Sequence, residues 1–208
     1  AAGIFGANFK LAILMNLVIQ AFKYAAEPFF FRQSTDKNSP QLYAKVMHAF
    51  ILFCTFLMVA ISVNLFWIGP LFLKGAAYAT GFYIVPVLLM GYLLLGVYFN
   101  LSIWFKVTDK TSYSFWITFV GALISVAIIV GLVPVWGFMG GALSTLGCYL
   151  VMTAICFWFG QKFYPIPYQT GKGILYLVLA FALSYGGFYL DLQSQVMNFL
   201  AKNTAVLI

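Results

Sequence analysis

Asn16, Gln20, Lys23 and Glu27 recur at steps of four, three and four along an otherwise apolar stretch. At about 100° per residue they fall within a wedge of roughly 60° on one helical face. Two amides, a cation and a carboxylate in a line form a track suited to a polar ligand. In hydrocarbon such a track is costly: a central charge costs about 2.5–3.5 kcal/mol on insertion scales. It is tolerated where it faces a bundle interior or a watery cavity. Lys23 and Glu27 lie four apart and can pair, which lowers the cost. The blander reading puts both at the interface, with Lys23 snorkelling. Asn16 and Gln20 continue the line towards the midplane, so the cavity-lining reading is preferred. Pro28 follows Glu27 and suggests a bend there.

Other polar residues are weaker candidates. Asn100, near Ser102 and Trp104, is a possible ligand contact, and so is Asn64. Isolated amides in apolar helices more often bond between helices. Catalysis finds little to use. The acids Glu27, Asp36, Asp109 and Asp191 are scattered, and His48 stands alone. There is no acid pair, nucleophile–base set, phosphate loop or metal spacing. Cys54, Cys148 and Cys156 lie inside apolar runs and are read as structural thiols. The expectation is therefore no catalytic residue, no metal and no cofactor.

The elements that must carry these residues are membrane spans. No charge occurs between Thr111 and Gln161, a run long enough for two spans of about 20 residues each. Pro134 and Gly137 mark the turn between them. Of the 208 residues 64% are hydrophobic and 7% charged, with a mean hydropathy of +1.00; a soluble domain carries roughly 25% charged residues. The chain predicts an all-α, polytopic transmembrane bundle. Six spans are drawn at about 11–31, 46–68, 82–105, 113–133, 138–159 and 173–190, with a possible seventh from 196. The start without Met and the apolar end at Ile208 suggest a piece of a longer protein, and no cleavable signal peptide is visible.

The net charge of +7 is not gathered into a nucleic-acid patch. Bases concentrate in alternate loops. Arg32, Lys37 and Lys45 follow the first span, Lys106 and Lys110 the third, Lys162 and Lys172 the fifth. The intervening loops hold Lys74, nothing, and Asp191. Loops 32–45, 106–112 and 161–172 should then face the cytoplasm, and the chain should start outside. Gly137 through Ala142, with Ser144, Thr145 and Cys148, gives the fifth span a small-residue packing face. Pro86, Gly91 and Gly96 allow either a hinge or close packing in the third.

Several stretches resemble the bacterial polysaccharide-exporter family, flippases of lipid-linked oligosaccharides (O-antigen type). That family lies within the multidrug/oligosaccharidyl-lipid/polysaccharide exporter superfamily. They are Gly3-Ile4-Phe5-Gly6-Ala7-Asn8-Phe9-Lys10-Leu11, Gln20-Ala21-Phe22-Lys23 and Ala26-Glu27-Pro28-Phe29-Phe30-Phe31. Tyr98-Phe99-Asn100-Leu101-Ser102 leading to Thr108-Asp109-Lys110-Thr111 is similar too, as is Leu132-Val133-Pro134 with Gly137, Gly140, Gly141 and Ala142, and Tyr149. The similarity lies in order and spacing along nearly the whole chain. It implies one lobe, the C-terminal, of a two-lobe transporter in the bacterial inner membrane. The partners implied are an undecaprenyl-pyrophosphate-linked glycan, the bilayer and an N-terminal lobe. The implied mechanism is alternating access driven by an ion gradient. On that footing Asn16 and Gln20 would bond sugar hydroxyls and Lys23 would offset pyrophosphate charge, with Glu27 and Asn100 also lining the cavity. Few bases lie deep in this lobe, so the other lobe would supply many of the cations.

Three rivals remain. An ion-coupled drug or metabolite antiporter of the same superfamily should show an acid-lined, more apolar pocket. A membrane-embedded glycan polymerase or ligase needs Arg, His or acids on a substantial outer loop, and the loops here are short. A scaffold subunit predicts no continuous polar cavity along the first helix.

Overall fold

The structure, a computed structural model, describes residues 2–72 and 76–189. It is all-α, with no strand among the described residues. The helices are α1 (Ala2–Gln33), α2 (Ser39–Val63), α3 (Leu65–Phe72), a 3₁₀ helix (Ala76–Ile84), α4 (Val85–Leu101), α5 (Ile103–Val107), α6 (Ser112–Trp136), α7 (Phe138–Phe163) and α8 (Thr170–Tyr189). Five helical segments are long and apolar enough to cross a bilayer: Gly3–Gln33, Ser39–Val63, Thr80–Val107, Ser112–Trp136 and Phe138–Phe163. The chain is a polytopic membrane protein. The sixth expected span corresponds to α8, whose 20 residues give about 30 Å of helix, although α8 is not among those five. The possible seventh span from 196 lies outside the described residues, as do Lys74 and Asp191.

The first helix begins nine residues before the expected position 11, at Ala2, and the second span is shifted at both ends. It begins seven residues before the expected position 46, at Ser39, with Pro40 in its first turn, where a missing N–H costs nothing. It stops at Val63, not residue 68. There the Asn64 side chain donates to the Ala60 carbonyl at 2.9 Å, competing with the next helical turn. The short α3 follows. The expected turn after the fourth span is at Gly137, with φ +54°, while Pro134 sits within the last turn of α6. Helix α1 runs on through Pro28.

α4 is the hub. Almost all its residues are buried, and it packs against α1, α2 and α7. In contrast, α6 buries only Ile117 and Gly121. Its outward residues include Trp116, Leu123, Val130 and Trp136, each more than half exposed, a surface suited only to hydrocarbon or to another membrane segment. Glycines set the close approaches. A Cβ on Gly140 would lie 2.7 Å from the Val133 backbone nitrogen of α6, and one on Gly141 would lie 3.0 Å from the Phe5 ring of α1. Gly91 abuts Thr145, and Gly96 abuts Phe50 and Ile19. The small-residue face of α7 and the glycines of α4 thus serve packing.

Successive spans alternate in direction. Along α1 and α4, Phe9 meets Tyr92 and Lys23 meets Phe99; along α1 and α2, Phe22 meets Phe50 and Phe30 meets Tyr43. The first pair of helices is parallel and the second antiparallel. The connections 34–38, 108–111 and 164–169 therefore share one end of the bundle. Arg32, Lys37, Lys45, Lys106, Lys110, Lys162 and Lys172 collect there.

Candidate functional site

The four residues of the track all sit on α1 and all are half-buried. They flank the packed face of the helix, which is formed by Leu11, Ala12, Met15, Ile19, Ala26 and Phe30. The outward face carries Leu17 and Tyr24, at 60% and 71% exposure. The track therefore runs along the seam beside α4, neither sealed in the core nor turned fully outward.

Gln20 Nε2 donates to Asn16 Oδ1 at 3.4 Å, a long bond that leaves most of both amides' bonding capacity free. Lys23 Nζ stands 4.4 Å from the centroid of the Phe99 ring on α4, within cation–π range. Glu27 Oε1 accepts from Lys106 Nζ of α5, the only ion pair among the described residues. The expected Lys23–Glu27 pair does not form. Each partner finds a group on the neighbouring helix instead, because the track faces the seam and not a solvent-exposed surface.

A small second core fixes this geometry. Ala26, Phe30, Tyr43, Ile103 and Ile166 form it, with Tyr164 and Tyr168 packed alongside. Ala26 adjoins Glu27 in sequence, and Ile103 lies one turn before Lys106. Burying that pair of neighbours brings the carboxylate and the ammonium together. The Tyr43 hydroxyl donates to the Phe30 carbonyl at 2.8 Å and fastens α2 to the end of α1. Buried Trp104 donates from Nε1 to the Cys156 carbonyl at 3.2 Å and stacks on Phe163, which ties α5 to α7. In the loop beneath, burial pushes the Tyr164 and Tyr168 phenols above their ordinary values.

Asn100 is placed differently. It is 4% exposed, and its Nδ2 donates to the Gly96 carbonyl at 3.0 Å. Its Oδ1 has no hydrogen-bond partner among the described residues. It lies one turn from Gly96, on the α4 face that meets α1 and α2, and is packed away from the half-open track. Asn64 bonds within its own helix. His48 is half-buried near the basic end, its ring 5.6 Å from that of Tyr176. Among the described residues no three His, Cys, Asp or Glu side chains gather at one point.

Two features were missed by reading the sequence. One is Lys106 as the counter-charge of Glu27. The other is an aromatic extension of the track. Phe5 and Phe9, four apart and with Phe9 seven positions before Asn16, extend the same helical face towards the other end and are themselves in contact. Phe9 meets Tyr92, and Tyr92 lies 6.3 Å from Tyr149. Phe5 and Phe9 were visible on that face, but Tyr92 and Tyr149 belong to other helices. The seam thus joins an aromatic half to an amide and charged half. No family model matches the chain, and neither does any curated protein or solved structure.

Proposed function

We propose that this chain is one lobe of a bacterial inner-membrane flippase for a lipid-linked oligosaccharide. The observation that carries the reading is the half-buried track Asn16–Gln20–Lys23–Glu27. Its groups are retained at a depth where polarity is costly, and they are only partly consumed by protein partners. Amides beside aromatic rings suit sugar hydroxyls and the apolar faces of sugar rings, and Lys23 offers positive charge to a pyrophosphate. The collection of bases at one end supports a cytoplasmic placement for that end. The resemblance in the α1 and α4 motifs supplies the substrate class.

Transport would proceed without chemistry on the substrate. A cavity between this lobe and a second would open to each side in turn, coupled to an ion gradient. An antiporter that works through a lone protonatable acid is less well supported, since Glu27 already holds a counter-charge in Lys106.

The test is glycan export by the intact protein. Lys23→Ala and Asn16→Ala together should lower export at least tenfold while insertion and abundance persist. Undiminished export by that double variant removes the track from the mechanism.

A further inference from the structure

On the side of α4 away from the track, α2, α4, α7 and α8 enclose a pocket of about 400 Å³. Its walls are Met47 and Ile51 of α2, Leu94 and Val97 of α4, Leu150 of α7 and Leu177 of α8. Its position in the bundle is defined. These residues lie from the middle of their helices towards the basic connections. Of the polar members, His48, Gln169 and Thr170 stand at that same end, and Thr153 lies deeper with its hydroxyl bonded to the protein. The pocket is therefore apolar towards the midplane and polar towards the interface.

Its opening is lateral. Leu150 and Ile174 both line it and are 53% and 62% exposed. Ile174 adjoins Leu175 in sequence and stands one turn before Val178, and both of these are also exposed. Water has little to hold it inside: the Thr153 hydroxyl already donates to the Leu94 carbonyl at 3.0 Å, and a buried water needs two to four polar partners. A void walled by leucine and methionine forfeits dispersion contacts on every side. The ligand class that satisfies both ends is a hydrocarbon chain tethered to a polar head at the membrane surface.

We infer that this pocket is a binding site for one acyl chain of a bilayer phospholipid, which enters between α7 and α8 with its headgroup near His48, Gln169 and Thr170. The bilayer supplies that molecule in excess at the depth of the opening. The occupied pocket would wedge α8 against α2 and keep α7 from closing on it. The site requires only that the chain sit in a membrane, and it does not depend on the flippase reading.

The test reconstitutes the intact protein in phosphatidylethanolamine–phosphatidylglycerol vesicles containing a trace of phospholipid with a diazirine on one acyl chain. After illumination, adducts are mapped by peptide mass spectrometry. Labelling on Met47, Leu94 and Leu177 should exceed that on Val130 of α6 by at least fivefold. Ala154→Phe, which projects a ring from the pocket wall, should abolish the excess and leave α6 labelling unchanged. Ala44→Leu serves the same purpose if the first variant does not insert, and the wild-type map decides independently of both. Labelling no greater than on α6 overturns the site. So does preferential labelling by a diazirine-bearing polyprenyl phosphate in the same vesicles, which would assign the pocket to a polyprenyl tail.

Discussion

Glu27 of α1 pairs with Lys106 of α5, and Lys23, one turn away on Glu27's own helix, turns instead to the ring of Phe99. The two contacts bind the same two segments, α1 and the α4–α5 run, at successive turns. The half-open seam is therefore also a fastening. The side chains of Lys106 and Glu27 are 24% and 32% exposed. That places the pair between a surface ion pair, worth about 0.2–1 kcal/mol, and a sealed one.

A double-mutant cycle with Glu27→Gln and Lys106→Met should give a coupling of about 1–2 kcal/mol, read from thermal unfolding in detergent micelles. Lys23→Met should show no coupling to Glu27→Gln. Strong coupling of Lys23 with Glu27 would contradict the pairing described.

The α6–α7 hairpin depends on two glycines. Gly137 has φ +54° and ψ −125°, a region that L side chains rarely enter. A Cβ on Gly140 would strike backbone atoms of Leu132 and Val133 at 2.7 to 2.9 Å. Gly137→Ala should destabilise by about 1–3 kcal/mol through strain. Gly140→Val should do so by a similar amount, about 1–3 kcal/mol, through overpacking. Gly131→Ala, where a Cβ meets nothing within 4 Å, is the control and should be near neutral. Unfolding midpoints of the three variants settle the order.

Trp104 is 1% exposed and bonds across to α7. Trp104→Phe should cost roughly 1 kcal/mol for the lost hydrogen bond, and Trp104→Ala about 3–5 kcal/mol for the cavity. Limited proteolysis of the 108–111 connection should accelerate in the same order. Equal susceptibility of both variants and wild type would mean that the α5–α7 contact does not hold that end.

Alkali should loosen the basic end first. The Tyr168 phenol is raised above its ordinary value of 10.0, chiefly by burial. The folded state therefore keeps a proton that the unfolded state loses above about pH 10, so the slope of stability with pH is negative there. Tyr168→Phe should flatten the fall in unfolding midpoint between pH 10 and 11, and an unchanged fall would exclude Tyr168 as its source.

What the sequence alone determined follows from the solvent. Apolar runs of span length, alternating basic connections and the Gly137 turn are local or composition-level signals. They fixed an all-α polytopic bundle and the common end of its basic connections. The four-residue periodicity of Asn16, Gln20, Lys23 and Glu27 likewise fixed a shared face, because helix geometry makes neighbours of residues three and four apart. The direction of that face in the bundle could not be read locally. Tertiary packing decided that it borders α4, that Asn100 is sealed beneath it, and that Glu27 reaches Lys106 across 79 positions of sequence. Partner choice in a bundle depends on which helices lie side by side, and that is set by the sum of many apolar contacts, such as those within the cluster of Ala26, Phe30, Tyr43, Ile103 and Ile166. No spacing within one segment encodes that sum.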